Sequence, residues 1–153
     1  MDSLEVVDIV SRIVHLLTAI TLVGGSLFVA TVLGPSLRSL SDAVSSDLWG
    51  AINGRWKMWV HGGIALFLIT GFYNYIRAMP LHKGDGLYHA LVGTKILLAL
   101  GVMVIASGLV GRSKAFQFMR DARGLWQAVL ILLAVVIVAI SGFVKVRGIP
   151  VIE

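Results

Sequence analysis

The sequence contains no cysteine, which removes disulfides, thiolate metal sites, iron–sulfur clusters and covalent c-type haem attachment together. Any metal must be held by histidine, methionine or oxygen. Charge is also scarce. Asp, Glu, Lys and Arg make up 14% of the residues against 58% apolar, with a mean hydropathy of +0.92. Soluble domains carry roughly 25% charged residues, so this composition suits lipid. Acidic residues are absent from the interiors of the apolar runs, which argues against a carboxylate proton relay or a cation pump. No nucleophile–base signature, phosphate loop, pair of catalytic carboxylates or nucleotide fingerprint is present, so hydrolysis and ATP-driven transport are poor fits.

What is present is four apolar runs, near Ile9–Leu33, Met58–Ile76, Tyr88–Gly111 and Gly124–Val144. Crossing a hydrocarbon core takes about 20 helical residues, so the expected fold is all-α, an integral membrane bundle of four transmembrane helices. The 153 residues fit one domain of that kind, 1–153. The first run follows Asp2, Glu5 and Asp8 rather than a basic stretch, and reads as a retained helix rather than a signal peptide. Polar and breaker residues mark the connections: a loop from Gly34 to Lys57 opening with Pro35, a tight turn from Arg77 to Leu87 with Pro80, Gly84 and Gly86, and a basic loop from Arg112 to Arg123. Within the first loop, Leu37 to Ile52 alternates apolar and polar residues and predicts a short interfacial helix.

The net charge of +5 comes from cations in these short loops, a pattern of membrane topology rather than of nucleic-acid binding. Four spans put both termini and the second loop on one face, here the terminal face. The opposite, loop face collects Arg38, Arg55, Lys57, Arg112, Lys114, Arg120 and Arg123. The positive-inside rule then turns the termini outward, with a bacterial inner membrane as the expected location. The tryptophans Trp49, Trp56, Trp59 and Trp126 read as interface anchors. Gly24, Gly25, Gly62, Gly63, Gly71, Gly101 and Gly108 read as sites of close helix approach, either within the chain or toward a further copy or a larger membrane complex.

Ionisable groups inside lipid are costly and point to function. Those within the spans are Arg12, His15, His61 and Lys95, with His89 at the mouth of the third. At 1.5 Å per residue, His15 lies roughly 9 Å and Lys95 roughly 10 Å inside the terminal face, with His89 about 2 Å in. His61 lies about 5 Å inside the opposite face, some 16 Å from His15 along the membrane normal. The terminal side therefore gathers the candidate site. His15 is the expected iron or copper ligand, with His89 as second ligand and His61 as the fallback. Lys95 and Arg12 are the expected partners of propionates or other carboxylates. The ordinary alternatives are a merely hydrogen-bonded His15 and a lysine or arginine that snorkels to the surface.

The segments IVHLLTAITLVGG, ALFLITGF and LYHALVGTKILLALGV, the last followed shortly by Arg112, resemble the superfamily of HemJ-type protoporphyrinogen oxidases and copper resistance protein D domains over nearly the whole chain. On that match His15, Gly25, Gly71, Lys95 and Arg112 carry over, with His15 and Lys95 the specific ones. The resemblance implies haem b, oxidoreductase activity and a tetrapyrrole substrate on one branch, and copper handling on the other. A non-catalytic subunit of a larger membrane complex is the third expectation.

Overall fold

The computed structural model of the protein describes residues 2–148, and these contain helices and turns but no strand. Four long helices form an antiparallel bundle: α1 (Ser3–Phe28), α2 (Asp42–Ala78), α3 (Gly86–Val110) and α4 (Arg123–Arg147). Each is long and apolar enough to cross a membrane. Their outward faces are rows of apolar side chains, with Leu97, Ile69, Phe72 and Val138 among the most exposed. Hydroxyls inside the helices return to the backbone one turn earlier, as Thr18 Oγ1 does to the Val14 carbonyl at 2.8 Å, so they need no water.

The connection between the first two helices departs from the expected polar loop. The first helix does not stop at Pro35. It widens into a π turn at Val29–Leu33 and continues as Gly34–Leu37, because proline lacks an N–H and its ring crowds the preceding turn, and a π turn absorbs both. The stretch expected as loop plus interfacial helix is instead the first part of α2, which runs for 37 residues from an extended Ser41 at the N-cap position. No proline interrupts 36–79, and Gly50 and Gly54 each cost only about 1 kcal/mol inside a helix. A helix of that length is about 55 Å long, whereas the hydrocarbon core is about 30 Å thick. The α1/α2 hairpin therefore outreaches the α3/α4 hairpin, whose helices have 25 residues each.

Packing is by pairs. α1 packs mainly on α2 and α3 mainly on α4, the α2–α3 seam is thinner, and the α1–α4 seam is the thinnest of the four. The best-packed region is in the loop half, where Ile105, Leu109, Met119 and Leu130 form the buried cluster and Phe116 and Trp126 pack on it. Glycines make that closeness possible. A Cβ on Gly25 would overlap the Trp56 indole, one on Gly63 would press on Leu22, and one on Gly108 would meet Met119 and Phe116. Gly24 and Gly62, by contrast, face open space. Three of the four tryptophans are thus turned inward rather than out along an interface: Trp49 under the Arg123 guanidinium at 4.4 Å, Trp56 on Gly25 and Trp126 on the buried cluster. Trp59 alone is exposed, at 64%.

Candidate functional site

The loop half uses its cations on a helix end. The last carbonyls of a helix have no partner within it, and at α3 they are met by side chains. Arg120 donates to Gly108 O at 3.2 Å, Arg123 to Leu109 O at 3.2 Å and Asn53 to Val110 O at 3.4 Å. Positive charge at a helix C-terminus is also favoured by the helix dipole. Arg120 and Arg123, expected as free basic loop residues, are therefore built into the fold.

The terminal half is arranged differently. Its rim carries two carboxylates that tie helix ends together. Asp8, near the start of α1, accepts from Tyr73 at 2.7 Å and from Arg77 at 2.9 and 2.8 Å, both residues lying at the end of α2. Asp85, the N-cap of α3, accepts from the Tyr88 N–H at 3.0 Å and from the Arg147 guanidinium at 2.7 and 3.1 Å. That joins the α2–α3 turn to the last turn of α4, which then ends at Gly148 in a positive-φ conformation (70°) suited to glycine. The Arg147 guanidinium, and next the Tyr88 N–H, hold the Asp85 carboxyl below its ordinary range. His82 stacks flat on Tyr88 at 3.6 Å, and its Nδ1 is buried without a hydrogen-bond partner among the described residues.

Below this rim sits His15. It projects from α1 onto α2, where Nδ1 lies 2.9 Å from Thr70 Oγ1 and Phe67 lies against the ring at a 4.0 Å centroid distance and 35° tilt. A Cβ on Gly71 would stand 3.1 Å from His15 Cε1, so the missing side chain there is what lets the ring edge rest on the α2 backbone. Lys95, half-buried on α3, is close enough for its charge to act on the His15 ring. Among the described residues it has no carboxylate within ion-pair distance. Ser11, one turn before His15 on the same face of α1, has a buried hydroxyl with no partner among the described residues.

The other expected site residues fall outside this centre. Arg12 is exposed, one turn from His15, with its charge reaching Asp8 and Tyr88. His89 is half-buried with its ring edge-on to Tyr88 at 5.5 Å. On a helix it stands about 120° around from Lys95, whereas Tyr88 and Val92 share the Lys95 face and are buried. His61 is exposed on α2, with Nδ1 2.8 Å from the Lys57 carbonyl. Roughly 14 Å of helix rise separates it from Thr70, so it does not meet His15. Among the described residues no three His, Asp or Glu side chains come together as a metal cluster.

Thr70 is the part of the centre that sequence reasoning missed, along with both rim carboxylate ties. Asp8 and Arg77 are unlike charges placed at one face by the four-span topology, and that signal was available. Comparison with known protein families, with curated proteins and with solved structures finds no match for this chain.

Proposed function

We propose that this chain is a haem-binding redox protein of the membrane, with His15 as the iron ligand and Lys95 as the partner of a propionate. The observation that carries this is the pairing of a histidine steadied on one ring edge by α2 with a half-buried lysine that has no acid partner among the described residues. A lysine within lipid must snorkel, lose its proton or find an anion. A propionate meets the third need, and a polar ligand also meets the buried Ser11 hydroxyl left without a partner. Haem needs one or two axial donors rather than a cluster of three, which suits a site where His15 stands apart from the other histidines. Haem b supplies one-electron chemistry when bound. The residues of the chain orient the ligand, neutralise its carboxylates and exclude water from the pocket. Arg12, at the rim above His15, is the second cation for a propionate or for the carboxylates of a tetrapyrrole substrate.

A second reading, a membrane subunit that receives a partner, draws on a different feature. An apolar groove of about 570 Å³ runs along the outer α1/α2 seam between Val14, Leu17, Trp59 and Gly62. The absorption spectrum of protein purified in detergent from cells supplied with haem precursors separates the two. A Soret band in wild type that is lost in His15→Ala and kept in His61→Ala is the expected result. Wild-type protein without a Soret band overturns the haem reading, and copper without iron in a metal analysis replaces it with copper handling.

A further inference from the structure

We infer that Thr70 is a positioning residue that fixes His15 as its Nδ1-protonated tautomer and leaves Nε2 as the open, lone-pair nitrogen. A threonine hydroxyl has a single hydrogen. In Thr70 that hydrogen has an acceptor already, the Leu66 carbonyl at 2.7 Å, which is the usual way a helix interior satisfies a hydroxyl in lipid. What Oγ1 then presents to His15 Nδ1, 2.9 Å away, is a lone pair. Two lone pairs do not face one another at that distance in a dry site, so the proton belongs on Nδ1. The chain Nδ1–H to Oγ1 to Leu66 carbonyl has each donor matched to one acceptor.

Neighbouring contacts fix the direction of the ring. Gly71 lies against Cε1 and Phe67 covers the ring. The Nδ1–Cε1 edge is thus held on α2, and Nε2 is the nitrogen that this contact leaves over. Histidines that ligate a metal almost always donate their other ring N–H to an acceptor, which orients the ring and raises its basicity. A backbone carbonyl or a carboxylate is the common acceptor, and here the threonine hydroxyl takes that part. The inference deepens the haem reading and rests on it for its purpose, yet the tautomer exists in the protein without any cofactor.

That independence sets the test. Ring-nitrogen ¹⁵N spectra of histidine-labelled apo protein in detergent, with the His15 signals assigned by their loss in His15→Ala, report the tautomer directly. Wild type is expected to show a protonated Nδ1 and an unprotonated Nε2. Thr70→Val, which keeps the shape but has no hydroxyl, is expected to shift His15 toward the Nε2–H form and to weaken haem retention on the order of 10-fold, the low end for partners of a ligating histidine. Thr70→Ser is expected to restore both. An Nε2–H His15 in wild type, or a tautomer unchanged in Thr70→Val, overturns the inference. The two ideas fail separately, since a wild type with Nδ1–H and no Soret band sinks the haem reading alone, and a Soret band with Nε2–H sinks the role of Thr70 alone. If Thr70→Val does not fold, the wild-type tautomer and the Thr70→Ser spectrum still decide.

Discussion

The two halves of the bundle handle the same problem, cations in and near lipid, in opposite ways. In the loop half, Arg120 and Arg123 sit on the final carbonyls of α3, and glycine contacts bring Trp56 and Met119 into tight packing. Each charge there has a structural partner. In the terminal half the rim charges are paired with Asp8 and Asp85, but Lys95 beneath them has no such partner among the described residues. A charge with a partner belongs to the fold, and a charge without one belongs to whatever the fold is for. The loop half should therefore govern stability and the terminal half ligand retention.

The largest effect that would break this division comes from the loop half. Gly25→Val forces a side chain into the Trp56 indole and should destabilise the bundle by about 1–3 kcal/mol, the range for overpacking. Thermal unfolding in detergent reads the loss. Gly24→Val, whose Cβ meets nothing within 4 Å, should leave the midpoint in place. A Gly25→Val protein that keeps its midpoint but sheds its haem would reverse the assignment of the two halves.

Lys95→Met tests the other side. It keeps length and apolar bulk, so the apo midpoint should hold or rise, while haem retention should fall about tenfold, or ~1.4 kcal/mol. Lys95→Arg should retain part of the affinity, since charge survives though geometry changes. Occupancy measured beside the midpoint distinguishes site from scaffold. A Lys95→Met protein that is more stable and fully loaded would remove this residue from the site.

The smallest effect belongs to the rim. The Asp85 carboxyl is held below its ordinary value by Arg147, so its contribution is complete above the unfolded value of about 3.9 and is lost as pH falls through the lower folded one. The thermal midpoint should decline on acidification below the carboxylate range, and Asp85→Asn should flatten that decline. An identical acid limb in the variant would mean that the Arg147 tie contributes nothing measurable, as many exposed ion pairs do.

The four helices were legible because lipid imposes a coarse rule, an unbroken apolar run of sufficient length, and each run obeys it. The separation of His15 from His61 was legible for the same reason, since depth follows from residue count once a span is placed. The first part of α2 was not. Asp42, Asp47, Arg55 and Lys57 have the polarity of a loop, and hydropathy does not distinguish a helix continuing into water from a chain that stops. Thr70 was hidden by its ordinariness, because a threonine within an apolar run carries no signal of what it faces 55 residues away. Glycines were read as packing sites without distinction. Gly25, Gly63 and Gly108 fit that reading, while Gly24 and Gly62, one residue along, are turned 100° away into open space.

Pairwise packing has a further consequence for traffic. Removing a molecule from the bilayer into the bundle means parting two helices and giving up the contacts between them, and the α1–α4 seam has the fewest to give up. It is also a seam without a covalent hinge, because α1 and α4 are the two ends of the chain and no loop joins them. The Arg147–Asp85 tie holds α4 to the α2–α3 turn, and the Asp8–Arg77 tie holds α1 to α2; neither crosses from α1 to α4. The bundle is thus a clasp with its latch side marked, and a lipid-dissolved guest slips in there at the lowest cost.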